Sequence, residues 1–584
     1  MTACQNEELP GLEEPAAPSI STTDGGYISV ALSNPASGRS ATYADGTEAE
    51  NTLNLKQLRF FFYHADNTPF MMEGTNINGS EMTNPDGSVI DQKTTNMICP
   101  LLVDGSNGNN ASSFANAVLI LGKSEDNGYQ GAIPSKVICV ANADDKTIAQ
   151  YEGQTLDAVA NILHEKVTDG TAGTFVMTSS TYYSNGKVYW SDITSANIAS
   201  TPEVAKQHPV KIYIERLAAK IDVTKFPGNH IVKEPGSNNE LVLSYVDYVN
   251  GQNVTVNDKR VWAEVSGWNV NTLATKSFGI KNIVNYSGDP AATHYFESAD
   301  EWNDAANHRC FWASTVSQLN TADTETHIVP EQFKATATEN DDATLWRGTN
   351  TPRYVFANTA DPFVKGIEAR GNDKFRGLAS FARSRATKIL VAAKFNIVEA
   401  NASAAGDKPL NLMYWGGTYY TPEALCRSIA QWHNLDKPVV FARCNGAGNK
   451  KEADKDQHFN VRFYTKENGE WGTMAELTEQ EMANNVINID PAEYWNGMGY
   501  YIVNISNKTF ATNQKLNGTA PEMFGVMRNH IYNYELTDFV GLGTPLPSVN
   551  DLTDVENPAF GETFVAAQLS VLNWRVVSHQ TTLQ

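Results

Sequence analysis

No stretch of the 584-residue chain holds the roughly 18 consecutive apolar residues that a membrane-crossing helix needs. The longest apolar runs, Phe60-Phe61-Phe62-Tyr63 and Ile389-Leu390-Val391-Ala392-Ala393, have the length of strands. No apolar segment of signal-peptide type precedes residue 20. Basic side chains are scarce. There are 44 Lys and Arg against 66 Asp and Glu, a net charge of −22, which argues against recognition of a nucleic-acid backbone through a basic face. The six cysteines are widely spaced and form no Cys-x-x-Cys, which argues against a zinc ribbon or a disulfide scaffold. No two of the eleven histidines have the i, i+4 spacing of a helical zinc motif. A Walker loop, a Rossmann glycine fingerprint and a Gly-x-Ser-x-Gly elbow are all missing.

What is present points to a folded, acidic, turn-rich β protein. Charged residues are only 19% of the chain while aromatics reach 10%, the reverse of a disordered solvating chain. Tyr27-Ile28-Ser29-Val30-Ala31-Leu32-Ser33 alternates as a strand does, and the small, polar run Asn34 to Ala41 follows it as an exposed loop. Further strands are expected at Leu55 to Tyr63, Val118 to Leu121, Lys136 to Val140, Phe175 to Met177 and Val210 to Val223. Leu156, Val159, Ala160 and Leu163 have the spacing of one helix face. Thr421-Pro422-Glu423 starts another helix with an N-cap, a first-turn proline and an acid at the positive end. Leu425, Ile429 and Trp432 form its expected buried stripe, and Thr478 with Glu481 makes a capping box for a third helix.

Site chemistry by itself names no activity. His530 reads as a structural hydrogen-bonder, Cys139 as a buried small hydrophobe, and the acidic loop Asp104 to Asn109 as a solvated turn without EF-hand spacing. A glycosidase carboxylate pair is not identifiable without its separation in space. Met1-Thr2-Ala3-Cys4 reads like the end of a lipoprotein signal, in which Cys4 becomes the acylated N-terminus. The acidic, proline-bearing Gln5 to Ser19 then serves as a tether. The alternative is a free thiol in a tail.

A set of strings carries a family resemblance. Val210 to Val223, Val140-Ala141-Asn142-Ala143 and Leu58 to Tyr63 resemble strands of the N-terminal domain of Bacteroidota fimbrillins. In the second half the strings are Cys310-Phe311-Trp312-Ala313, Tyr419-Tyr420-Thr421-Pro422-Glu423, Tyr500-Tyr501-Ile502-Val503, Arg528-Asn529-His530-Ile531-Tyr532 and Leu572-Asn573-Trp574-Arg575-Val576. Together they resemble the major fimbrial subunit family that builds type V pili, over nearly the whole chain.

The resemblance implies a mainly β fold of two transthyretin-like β-sandwich domains with a few short helices, no enzymatic activity and no cofactor or metal. The implied layout is a lipoprotein tether over 1–24, a removable first strand over 25–39, an N-terminal domain over 40–225, a C-terminal domain with insertions over 226–560, and a donor region over 561–584. Cys4 is then the lipidation site, and Ile28, Val30 and Leu32 fill a groove until a protease cuts between Arg39 and Ser40. A donated strand carrying Val565, Leu569, Val571, Leu572, Trp574 and Val576 replaces them. Val565, Ala567, Leu569 and Val571 share one strand face. At Leu572 the alternation slips by one residue, so a bulge or break is expected there. The implied function is a structural subunit of a surface fimbrium in adhesion and biofilm formation. Its implied partners are other copies of itself, minor anchor and tip subunits, a processing protease and a host or bacterial surface receptor. The alternatives are a minor or tip adhesin subunit of the same pilus and a monomeric glycan-binding surface lipoprotein.

Overall fold

The structure is a computed structural model. It describes residues 19–21, 26–33, 56–71, 95–98, 116–122, 130–168, 174–180, 182–184, 187–189, 191–199, 204, 207–208, 210–281, 307–309, 315–316, 325–326, 346–360, 386–401, 403–404, 406, 408–432, 466–467, 470–471, 492–494, 497–505, 524–545, 564–573 and 581–582. The protein is mainly β. It divides into two compact units, Met1–Ala218 with Lys276–Ser314, and Ala219–Thr275 with Thr315–Gln584.

The first unit is built on one large sheet whose main strands are β1 (Gly26–Ser33), β2 (Leu58–Tyr63), β3 (Asn116–Gly122), β4 (Lys136–Ala141), β5 (Met177–Ser179) and β6 (Val210–Arg216). Their lateral order along the sheet is β1, β6, β5, β4, β2, with β3 also on β1. Nearly every residue of β2 and β4 is buried, as expected of strands covered on both faces. Leu58, Phe60, Phe62, Val137, Cys139, Met177, Val210, Ile212 and Ile214 share one core cluster. Just past β4, Asn142 adopts a left-handed conformation (φ 60°), which asparagine tolerates better than most residues. Its side-chain oxygen accepts from the backbone N–H groups of Lys56 and Gln57 at 2.9 and 3.2 Å. Its amide donates to the Phe175 carbonyl at 2.8 Å, so one buried side chain ties together three segments.

Two short helices follow β4. Asp144 caps α1 (Asp145–Ile148), and Thr155 caps α2 (Leu156–Val159). The expected four-residue face of α2 is only half realised. Leu156 and Val159 are buried, but Ala160 already caps the helix and Leu163 pairs with Phe278 in a short two-strand ladder. Tertiary pairing with Ser277–Phe278 overrides the helical periodicity there.

The second unit is a sandwich of two sheets. One contains β7 (Ala218–Lys225), β12 (His530–Val540) and β13 (Phe564–Asn573). The other contains β8 (Val242–Val249), β9 (Gln252–Asn271), β10 (Lys388–Val398) and β11 (Met498–Asn504). Ile221, Val223, Tyr532, Tyr534 and Leu536 from the first sheet join Val261, Trp268, Val391, Phe395 and Tyr501 from the second in one continuous core. The twenty-residue β9 shifts register between Val265 and Gly267. A Cβ on Gly267 would come within 2.7 Å of the Trp346 Cβ, so glycine lets the 346–348 segment lie directly on the strand.

The apolar run Val210 to Val223, expected as one strand, is two. It breaks at Leu217, whose N–H donates to the Val176 carbonyl at 3.0 Å, and β6 and β7 belong to different sheets. Helix α3 (Pro422–Trp432) starts where expected, with the Thr421 hydroxyl accepting from the Ala424 N–H at 3.4 Å. Leu425 and Ile429 are fully buried with Ala424 and Cys426 against Met413 and Tyr420. Trp432 departs from the expected stripe. It is 55% exposed, because the helix ends there, and its ring stacks on Trp415 at 5.5 Å. The capping box at Thr478 and Glu481 and the loop Asp104 to Asn109 lie outside the described residues.

Candidate functional site

The alternating segment around Val30 becomes an internal strand. Along one edge β1 runs parallel to β6, setting Val30 opposite Val210, Ala31 opposite Lys211, Leu32 opposite Ile212 and Ser33 opposite Tyr213. The same edge pairs antiparallel with Ile198–Ala199 through Ile28 and Tyr27. Along the other edge, β3 runs antiparallel from Gly26 to Ala31. Ile28, Val30 and Leu32 therefore lie in a strand bonded on both sides. Beneath the parallel partner, Val210, Ile212 and Ile214 alternate into the first unit's core.

The far end of β6 is held by charge. The Glu215 carboxylate accepts from the Lys281 ammonium at 2.8 Å, and both side chains are withdrawn from solvent. The Ser180 hydroxyl donates to the same carboxylate oxygen at 3.4 Å. Two residues upstream of Lys281, the Gly279 carbonyl accepts from the Thr178 hydroxyl at 2.6 Å. Sequence reasoning missed this clamp. Its only sequence signal is a carboxylate inside the apolar run Ile212 to Leu217, and its partner lies far along the chain.

At the C-terminus, β13 runs antiparallel to β12 of its own chain, with Phe564 opposite Val540 and Asn573 opposite His530. Val565 faces Phe539, Leu569 faces Tyr534, Val571 faces Tyr532 and Leu572 faces Ile531. Thr581 and Thr582 continue the ladder on β13's outer edge. The expected bulge at Leu572 is not there. The ladder is regular through Val571 and Leu572, and its one register shift lies between Leu536 and Asp538 on the partner strand. The reason is in β12, where His530, Ile531 and Tyr532 are buried in succession. A strand lying beside one buried on both faces has no need of apolar alternation.

Cys4, Arg39, Ser40, Trp574 and Val576 lie outside the described residues. Among the described residues, no group of three or more His, Cys, Asp or Glu side chains converges as metal ligands. Burial pushes the Cys139 thiol well above its usual range, which removes the nucleophilic thiolate. His530 is fully buried, and its Nδ1 donates to the Arg528 carbonyl at 2.7 Å. No described helix is long and apolar enough to cross a membrane.

No curated protein matches the sequence. Solved structures similar to the chain include a fimbrilin from Porphyromonas gingivalis W83, at 13% identity and a TM-score of 0.34, with 95% of this chain and 98% of that one covered. The tip fimbrial protein of Porphyromonas gingivalis with C-terminal truncation is 9% identical, with a TM-score of 0.28 and coverage of 94% and 100%. A fimbrial assembly protein from Parabacteroides distasonis ATCC 8503 is 11% identical, with a TM-score of 0.25 and coverage of 67% and 92%. Residues 492–580, which include β11, β12 and β13, match the family model described as major fimbrial subunit protein type IV, Fimbrillin, C-terminal, and the chain resembles that family.

Proposed function

We propose that this chain is a structural subunit of a cell-surface fimbrium that polymerises by protease-triggered strand exchange and supports adhesion and biofilm formation. The observation that carries the reading is the fimbrillin family match over 492–580, the segment that supplies the last long strands of the second unit. The pairing of β1 agrees with it. Losing a strand bonded on both edges opens two rows of backbone groups, on β6 and on β3, that another extended segment satisfies. Part of β1's hydrogen bonding is parallel, the slightly weaker geometry per residue, which suits a strand meant to leave.

In this reading Cys4 carries lipid and holds the precursor at the outer membrane through the tether over 1–24. Cleavage between Arg39 and Ser40 frees the strand over 25–39. The segment over 561–584 of another copy then enters the groove. Partners are further copies of this chain, anchor and tip subunits, the processing protease and a surface receptor, and the chain has no enzymatic role.

The exposed Trp432, stacked on Trp415, favours a second reading, a monomeric surface lipoprotein that binds glycans on aromatic faces. Electron microscopy of the purified chain before and after trypsin separates the two. Filaments after cleavage are expected, whereas unchanged monomers that bind polysaccharide overturn the fimbrial reading.

A further inference from the structure

Arg347 and Arg353 stand at the two ends of one tightly held turn. Arg347 exchanges backbone hydrogen bonds with Trp268 of β9, at 2.9 and 3.0 Å. The Trp268 indole and the Thr351 hydroxyl both donate to the Gly348 carbonyl, at 2.8 and 2.6 Å. Asn350 (φ 56°) turns the chain, and its N–H donates to the Val223 carbonyl at 3.0 Å. The short strand Arg353–Phe356 follows. Arg347 Nη1 donates to the Thr351 and Pro352 carbonyls at 3.4 and 3.2 Å, which lays its guanidinium against the peptide joined to Arg353. Arg353 Nη1 donates to Asn269 Oδ1 at 2.7 Å, one residue on from Trp268. Two cations are therefore anchored at consecutive residues of β9, and the turn holds both in place before any ligand arrives.

Neither arginine has a carboxylate partner among the described residues, although the chain carries 66 acidic side chains against 44 basic ones. Arg260 and Arg427, by contrast, each reach a glutamate, at 2.6 and 2.8 Å. The Arg347 Nε is buried without a hydrogen-bond partner. Burial, and then the neighbouring Arg347 charge, hold the Arg353 guanidinium below its usual pKa. On Arg353 the Nε and Nη2 hydrogens remain, which is the edge of a guanidinium that grips two oxygens at once.

We propose that Arg347 and Arg353 form a binding site for a doubly charged oxyanion, a phosphate or a sulfate. Arg353 grips two of its oxygens, and Arg347 supplies the second positive charge. A dianion balances both charges, whereas a single carboxylate leaves one uncompensated. The net charge of −22 repels a polyanion along its whole length, so the ligand that fits is one group, free or as a monoester. The site is independent of the strand exchange proposed above, because β1 and the C-terminal segment take no part in it.

The test is equilibrium dialysis of the uncleaved full chain with radiolabelled inorganic phosphate, in chloride buffer at fixed ionic strength. Saturable binding of a single ion per chain is expected. Arg353→Gln is expected to weaken it roughly tenfold or more, through loss of a charge-assisted two-pronged contact. Arg353→Lys keeps the charge without that edge and is expected to lose roughly fivefold. Arg347→Gln keeps an N–H for the turn carbonyls, removes the charge, and is expected to weaken binding roughly tenfold. Arg260→Gln, at an arginine already paired with Glu240, is expected to bind like wild type. On the wild-type chain, unlabelled sulfate is expected to displace the phosphate and acetate is not, a readout that holds even where a variant fails to fold. Glycerol phosphate that binds more tightly than inorganic phosphate assigns the group to a monoester, and equal or weaker binding assigns it to the free ion. No saturable binding to wild type, folded arginine variants that bind as wild type does, or displacement by acetate as readily as by sulfate overturns the proposal.

Discussion

Val30 stands directly opposite Val210 in a parallel ladder, while Ala117 flanks Val30 on the other edge. The first long strand among the described residues is therefore an interior strand of its sheet, and removing it changes two neighbours at once. If it is the removable strand, an arginine-specific protease cuts the folded precursor between Arg39 and Ser40. Polymerised material then begins at Ser40 by N-terminal sequencing. Arg39→Ala is expected to yield a soluble monomer that does not assemble. Polymer that retains Gly25 to Ser40 refutes the assignment.

Cys4 is tested with a lipoprotein leader placed before it. The precursor is expected to take up labelled lipid and partition into detergent, since an acyl chain provides membrane affinity that the polar tail lacks. Cys4→Ser abolishes both and blocks surface delivery. A Cys4→Ser protein that still reaches the surface and assembles refutes the lipid route.

At the C-terminus, deletion of Asn573–Gln584 separates a donated strand from a self-paired one. A donor deletion leaves a folded, processed monomer that no longer polymerises, with its melting temperature little changed. A strand needed by its own subunit shows instead a sharp fall in melting temperature. Trp574→Ala is expected to weaken the polymer against heat in detergent while the monomer holds. Each large apolar anchor is worth roughly 1.5–3 kcal/mol when buried.

Helix α3 gives a packing prediction that does not depend on assembly. Leu425→Ala and Ile429→Ala, at fully buried positions, are each expected to cost about 2–5 kcal/mol in denaturant unfolding. Thr421→Ala removes the N-cap bond to Ala424 and costs about 1 kcal/mol. Trp432→Ala, at an exposed position, is expected to cost much less than either core substitution.

The tyrosines of the second unit set an alkaline limit. Burial raises the Tyr419 hydroxyl from its ordinary 10.0 to about 12 and pushes Tyr494, Tyr501, Tyr532 and Tyr534 up as well. An acid whose folded-state pKa is raised binds more protons folded than unfolded, so its contribution is complete below pH 10 and is lost as pH rises toward 12. Absorbance at phenolate wavelengths is expected to report these groups only as near-ultraviolet circular dichroism collapses. Phenolate signal from the buried tyrosines in a chain that keeps its fold contradicts this.

Features set by residues adjacent in the chain were legible in the sequence. The aromatic run of β2, the alternation of β1 and the Thr421-Pro422-Glu423 start of α3 are local, and local sterics and capping act on consecutive residues whatever surrounds them. The family resemblance rested on the same kind of short string. Tertiary structure decided the rest. Alternation tells which residues of a strand share a face but not which strand lies beside it. The pairing of Val30 with Val210 and of Lys220 with Ile531 thus follows from closing long loops around a shared core. The Glu215–Lys281 bond needs two charges withdrawn from water together, and neither residue alone signals it. Val571 and Leu572 break alternation without breaking the strand, because beside them β12 is buried in succession from His530 to Tyr532. Leu163 left its helix for a strand partner, and Trp432 left the core because α3 ends at its position. In each case the deciding neighbour is distant in sequence, or is the edge of the packed layer itself.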